Sequence, residues 1–287
     1  FDAVYLAIGA HEDQKLGVPG EDLAGVISGI GFLKDVKLSQ APDLSGKNVL
    51  VIEGGNVAID SARTALRAGA KEVHVVYRRR KEDMPAFVEE IEEAEHEGIK
   101  FTYMAAPVKV VGQGQVAGLE CQKSAQGEFD SSGRRRPIPI EGSNFVIDAD
   151  VIIAAIGQSV GVDSVKGADL KLNRGLIAVD KEMKTNIPYI FAGGDCVTGP
   201  DTAIWAIAQG KKAAAAIDKY LGGNGVVVEP RALTRELSQP ILEQKTAREK
   251  AAILPVAERR GSIEVEKGFT QEQAMAEASR CLRCDVK

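Results

Sequence analysis

Residues 48–80 read NVLVIEGGNVAIDSARTALRAGAKEVHVVYRRR. The run opens on a short apolar stretch (48–52), turns on two glycines, and closes on a second apolar stretch (72–77) followed by three arginines. Between them Val57, Ala58, Ala62, Ala65 and Leu66 recur with a helical period, whereas the flanking runs have the length and β-branched content of buried strands. The segment therefore reads as strand, glycine turn, helix, strand. This is the unit from which parallel α/β sheets are assembled.

The turn carries more information than the strands. Glu53-Gly54-Gly55-Asn56-Val57-Ala58 falls in the frame G-x-G-x-x-A, after a strand and at the start of a helix. In that frame bare backbone lets a pyrophosphate approach, and the free N–H groups and dipole of the helix start are aimed at it. A dinucleotide is the expected ligand. The second strand then ends in Arg78 and Arg79, where an NAD-binding unit usually presents an acid to the ribose 2′-hydroxyl. Guanidinium groups there suit a 2′-phosphate, which favours NADPH; the alternative is a solvated basic turn. Glu53 stands where the first glycine belongs. Either its carboxylate faces the diphosphate and repels it, or it turns away to cap the helix or meet a lysine.

Outward from this unit the chain repeats a theme. FDAVYLAIGA (1–10) and IDADVIIAAIGQ (147–158) both run acid, apolar strand, Ala-Ile-Gly. An acidic helix over 85–97, antiparallel strands over 99–111 and 116–125, and a polar loop over 126–136 are expected between them. Beyond lie a short strand (176–179), the strand 189–195 and an Ala-rich helix over about 202–220. The tail from 229 is charged, helical in composition and punctuated by Pro230, Pro240 and Pro255.

The stretch TNIPYIFAGGDCVTGPDTAIWAIAQGKKAA (185–214) has the form Thr, apolar strand, Ala-x-Gly-Asp, then a helix of small residues. It resembles the second flavin motif of the pyridine nucleotide–disulfide oxidoreductase superfamily. The 54–86 run through Met84-Pro85-Ala86 is similar to the glutamate synthase small subunit and its relatives, and the resemblance covers nearly the whole chain. The fold it implies is α/β: a Rossmann-like NAD(P)-binding domain (41–157) inserted in the remaining part of an FAD-binding domain (1–40 and 158–225), plus a helical C-terminal extension (226–287). It further implies that Gly194 and Asp195 hold the flavin ribityl chain, that the helix start Thr202-Ala203-Ile204 faces the flavin pyrimidine end, and that Gly157 lies at a crossover between the two domains. Glu53, Gly54, Gly55, Asn56, Val57, Arg78 and Arg79 are the expected nucleotide-binding residues.

The family pattern is not complete. A first flavin fingerprint and a cysteine-rich helical iron–sulfur region are missing from this sequence, and the strand pattern starts abruptly at Phe1; the chain reads as a piece of a longer protein. Cys121 stands alone in the nucleotide domain, which argues against disulfide reduction. Cys281 and Cys284 form a Cys-x-x-Cys pair: either half of a metal or 4Fe–4S site completed elsewhere, or a helix-end thiol pair.

Net charge is −5 over 287 residues, which disfavours nucleic acid or an anionic membrane as a general partner. No apolar run is long enough for a membrane span, and four cysteines in all do not make a secreted disulfide framework. A reducing cytoplasm is the expected location. His11, His74 and His96 read as surface or strand residues, which is compatible with hydride transfer because that chemistry asks for stacking geometry and flavin electrostatics. The leading expectation is an enzyme subunit carrying electrons from NADPH through FAD to an iron–sulfur centre, an electron-accepting subunit or a ferredoxin-like domain. The rival is a non-catalytic nucleotide-binding or scaffolding module without its own flavin.

Overall fold

The computed structural model describes residues 1–130, 133–161, 165, 167–226, 247–261 and 263–280. They fall into two compact units, Phe1–Gly225 and Val226–Lys287.

In the first unit, β1 (Val4–Leu6) and β2 (Glu12–Asp13) precede β3 (Val26–Ser28) and helix α1 (Gly29–Lys37), whose start is capped by Ser28 Oγ accepting the Gly31 N–H at 2.8 Å. The opening segment folds as its pattern demands: β4 (Asn48–Ile52), α2 (Asn56–Arg67) and β5 (Glu72–Tyr77). A 3-10 turn (Lys81–Asp83), α3 (Val88–His96) and β6 (Lys100–Tyr103) follow. Next come β7 (Ala105–Gln113), β8 (Gln115–Phe129), β9 (Arg135–Asp148) and β10 (Val151–Ala154).

Five strands make one parallel sheet in the order β3-β10-β4-β5-β6. Its strands are apolar on both faces because both are covered. On one face Val49, Val51, Val73, Val75 and Ile153 pack with Phe32, Ile59, Ala62 and Ile91 from α1, α2 and α3. On the other, Leu50, Ile52, Val76 and Ile152 pack with Val110, Leu119 and Cys121 of the antiparallel meander β7-β8-β9. Helices thus cover one side and strands the other.

The remaining elements are β11 (Gln158–Ser159), β12 (Leu172–Asn173), β13 (Leu176–Ile177), β14 (Ile190–Ala192), α4 (Asp195–Thr198) and α5 (Ala203–Tyr220). β1 pairs in parallel with β14, and β2 pairs antiparallel with β11, so chain from both sides of the inserted sheet closes into a second, smaller layer. Ala10, Val160, Ile177, Ala192 and Cys196 form its core.

Several expectations are corrected. Residues 26–37, placed with the flavin half by a boundary at 40, pack with the nucleotide sheet through the β3–β10 pairing. The stretch 99–111 is two strands: β6 is parallel to β5, then Met104 adopts φ 57° and the chain turns into the meander. The loop expected over 126–136 is largely a hairpin extension, in which Arg135 lies 4.4 Å from the Phe129 ring centroid. The acidic helix starts at Val88 rather than at 85, because Pro85 and Ala86 run along the glycine turn. Much of the tail expected to be helical, residues 227–246 with Pro230 and Pro240, lies outside the described residues; the described part holds α6 (Gln271–Ser279) with its Thr270–Gln273 capping box and a 3-10 turn at Val256–Glu258. None of the described helices is long and apolar enough to cross a membrane.

One half-buried base gives the sheet a pH dependence. His74 on β5 shares a 2.7 Å hydrogen bond with Thr102 Oγ1 of β6, and burial holds its imidazole below the ordinary 6.5. The unfolded chain therefore takes up the proton first as pH falls. Its contribution to stability is complete above about 6.5, declines as pH drops through that value, and levels off below the depressed folded value. His74→Val should flatten this part of the stability curve. Denaturant midpoints of both proteins between about pH 7.5 and about pH 5.5 check it; parallel curves would refute the assignment.

Candidate functional site: a nucleotide turn and a second cleft

The glycine turn follows β4 at the carboxyl edge of the sheet, beside the end of β5. Gly54 is glycine for a steric reason: a Cβ there would lie 3.0 Å from the Tyr77 ring and 3.0 Å from Met84 Cγ. Tyr77 cannot retreat, since it is buried and its hydroxyl donates to the Asp83 carbonyl at 2.7 Å. The Met84-Pro85-Ala86 run backs the same turn, with the Ala86 N–H donating to the Gly54 carbonyl and the Phe87 N–H to Asn56 Oδ1. Gly55 caps α2 without a side chain, so the amides of Asn56 and Val57, which have no acceptor inside the helix, head an open helix start. Gly54, Gly55, Asn56 and Val57 thus form one turn running into the start of α2. These bare amides fit a pyrophosphate.

The arginines are placed otherwise. Glu53 has φ 97°, a conformation natural to glycine, and its Oε1 sits 3.0 Å from Arg78 Nε. It neither stands alone before the glycine turn nor meets a lysine; its partner is the residue expected to bind the 2′-phosphate. Arg79 is buried, with Nη2 2.8 Å from Asp130 Oδ2, and its carbonyl accepts the Met104 N–H. Burial, and then the nearby Glu53 charge, push the Tyr77 phenol above its usual range.

Beneath the turn, α2 is clasped to α3. Glu97, almost fully buried at the end of α3, accepts from Arg63 Nη2 at 2.8 Å and from Arg67 Nη2 at 2.7 Å; Arg63 also pairs with Glu90. Burial, then the Glu90 charge, raise the nearby Asp60 carboxyl.

The second cleft, about 430 Å³, opens between β1, the end of β14 and the start of α5. Gly194, Asp195, Thr202 and Ala203 line it with Tyr5, Gly9 and Gly193. Gly194 has φ 78°, and its N–H donates to Gln209 Oε1 of α5 at 2.7 Å, fixing the turn that presents Asp195. A Cβ on Gly193 would come 2.3 Å from the Tyr5 hydroxyl, so the turn and the phenol share one slot. The bare Gly193–Gly194 backbone, the Asp195 carboxylate and the helix start at Thr202 fit a polyhydroxyl chain with a polar ring end. Ile204 is not part of the lining and stands 75% exposed, next to Trp205. Gly157, at φ 113°, accepts from the Gln14 N–H at the crossover and is likewise outside the cleft. Tyr5, Gly193 and Gln209 escaped the sequence reading; a tyrosine in the first strand opposite a Gly-Gly pair is the signal that could have found them.

Neither buried thiol is poised for exchange. Cys121 is pushed up to about 12, chiefly by burial and then by Glu120, and Cys196 is raised by burial while it bonds to backbone carbonyls. Cys281 and Cys284 lie outside the described residues. Among the described residues no group of three or more His, Cys, Asp and Glu side chains could hold a metal ion.

A parallel sheet with a glycine turn at its carboxyl edge, inserted in a smaller layer that carries a Gly-Gly-Asp cleft, defines an α/β protein with two nucleotide-type sites. Comparison with known proteins makes the class specific: the model of the pyridine nucleotide-disulphide oxidoreductase family matches residues 1–210, and the chain belongs to that family. It is 41% identical, over 99% of its length and 42% of the relative's, to the NADP(+)-dependent formate dehydrogenase subunit beta of Moorella thermoacetica. It is 34% identical to the glutamate synthase [NADPH] small chain of Escherichia coli, over 77% of this chain and 51% of that one. The chain thus spans about half the length of these curated relatives. Among solved structures, FprA of Mycobacterium tuberculosis in complex with NADPH aligns with a TM-score of 0.64 at 23% identity, covering 77% of this chain and 64% of that one, a likeness of fold.

Proposed function

We propose that this chain is the electron-input part of an NADPH–flavin oxidoreductase, binding NADPH at the Gly54–Val57 turn and FAD in the cleft at Asp195. The observation that carries the reading is the presence, in one compact unit, of both an open helix start behind bare glycines and a separate cleft with Asp195 in its lining. A bound flavin would supply the step from a two-electron hydride donor to single-electron acceptors. The chain's own residues bind and orient. Gly54 and Gly55 admit the pyrophosphate, and the amides of Asn56 and Val57 neutralise it. Asp195 would accept from ribityl hydroxyls, and the Thr202–Ala203 helix start would stabilise negative charge on the flavin pyrimidine. Cys281 and Cys284 are proposed to contribute to an iron–sulfur centre in the whole protein, which passes electrons to a partner subunit in the cytoplasm.

Names of relatives such as the NADPH-Fe(3+) oxidoreductase subunit beta of Geobacter sulfurreducens, 37% identical over 99% of this chain and 48% of that one, support NADPH as donor. The engagement of Arg78 by Glu53 favours the rival reading, a nucleotide-binding module without turnover. Anaerobic addition of NADPH to the FAD-loaded whole protein decides between them: bleaching of the visible flavin band supports the oxidoreductase, and nucleotide binding without bleaching supports the module. In the whole protein, with its N-terminal half, Asp195→Ala should weaken FAD retention by about 1.5 kcal/mol, roughly tenfold, through loss of a charge-assisted acceptor. Unchanged flavin stoichiometry after dialysis would remove Asp195 from the site.

A further inference from the structure

We infer that Glu53 is a specificity-determining residue of the nucleotide site, holding Arg78 in an ion pair that a 2′-phosphate must open and that a 2′-hydroxyl can leave intact. The inference rests on the nucleotide reading proposed above.

Two independent features single out Glu53. Its backbone is strained: φ 97° suits glycine and is rarely adopted by an L side chain, and the neighbouring positions of the turn are glycine. Its side chain is also engaged, with Oε1 3.0 Å from Arg78 Nε, the Glu53 side chain 20% exposed and the Arg78 side chain 50% exposed. The other cations of the same run each have a carboxylate partner too. Arg79 meets Asp130 at 2.8 Å, Arg80 meets Asp83 at 3.1 Å, and Lys81 meets Glu95 at 2.7 Å. The Arg79 pair is nearly buried, and Arg80 and Lys81 are bound to the 3-10 turn and α3. Arg78 is the cation of this run whose partner sits on the glycine turn itself, and its side chain is half exposed, within reach of a ligand.

The chemistry follows from charge. A 2′-phosphate and the Glu53 carboxylate are both anions and compete for one guanidinium, so NADP(H) must displace or tolerate Glu53. NAD(H) brings a neutral hydroxyl, which can donate to the same carboxylate without disturbing the pair. Glu53 therefore attenuates the NADPH preference that the arginine run alone would give. A pair this exposed is weak enough to be opened by a ligand, which makes it a bias and not a block.

The test is calorimetric titration of the full chain with NADP⁺ and NAD⁺, for the unmutated protein, Glu53→Gln and Glu53→Gly, each with and without Arg78→Ala. Both Glu53 variants should raise the ratio of the NAD⁺ to the NADP⁺ dissociation constant by roughly tenfold, and the rise should vanish when Arg78 is alanine. Glu53→Gln keeps the backbone strain and removes only the charge, so it isolates the electrostatic effect; Glu53→Gly adds any tightening common to both nucleotides. Equal changes for NADP⁺ and NAD⁺, an unchanged ratio, or a rise that survives Arg78→Ala would each overturn the role of Glu53 while leaving the nucleotide site standing. Binding of neither nucleotide to any of the six proteins would overturn the nucleotide reading itself, and this inference with it.

Discussion

Replacing Glu97 with Gln is expected to destabilise the first unit by about 3 kcal/mol, although the residue is remote in sequence from the glycine turn and from Asp195. The Glu97 side chain is 2% exposed, and those of Arg63 and Arg67 are 12% and 18% exposed, so all three sit where water screens little. The neutral amide keeps the shape but leaves Arg67 without its carboxylate partner and Arg63 dependent on Glu90. Such a loss corresponds to a fall in unfolding temperature of roughly 6–12 °C for a unit of this size. Nucleotide affinity should fall as well, because α2 presents the Asn56 and Val57 amides and α3 is what anchors its opposite end. Adding Arg67→Leu to Glu97→Gln should recover part of the stability by removing the stranded cation. A loss below about 1 kcal/mol in Glu97→Gln would mean that the cluster behaves as a surface ion pair.

The Glu97 clasp and the Glu53–Arg78 pair mark the limit of what the sequence disclosed. β4, α2 and β5 were legible because their periods differ and their boundaries are punctuated by glycine. The glycine turn was legible because its chemistry is local. Glu53 meets Arg78 only because β4 and β5 pair with Ile52 opposite Val76, a register that brings the residues just past both strand ends together. That register is a property of the sheet, and no short window contains it. Residues 26–37 were misplaced because a three-residue strand carries no period, so its membership is decided by hydrogen bonding to β10. The break at Met104 was hidden because a methionine, and not a glycine, takes the positive φ there. Likewise the commitment of Arg79 to Asp130 depends on the β8–β9 hairpin folding back towards the end of β5. The Gly-Asp of the second cleft was visible as a motif, whereas Tyr5 and Gln209 look like ordinary strand and helix residues until β1 pairs with β14 and α5 closes over the turn.

That closure leads to the most specific expectation about the cleft. Gly193→Ala should lower FAD retention by roughly a hundredfold, about 2–3 kcal/mol, because the new methyl would stand 2.3 Å from the Tyr5 hydroxyl and 3.2 Å from the ring carbon that bears it. The phenol is a rigid lever: relieving the contact swings its hydroxyl towards the cleft that Tyr5 already lines, or else shifts the turn that holds Gly194 against Gln209. Tyr5→Phe removes the closer of the two contacts and keeps the ring. Tyr5→Phe alone should therefore retain flavin nearly as well as the unmutated chain, and Gly193→Ala with Tyr5→Phe should recover most of what Gly193→Ala loses. FAD bound per chain after dialysis, together with the unfolding midpoint of each protein, separates the possibilities. Recovery of both readouts in the double variant assigns the loss to the shared slot. Loss that persists undiminished would assign it to the turn backbone, with Gly193 acting through Gly194 and Asp195 and not through Tyr5.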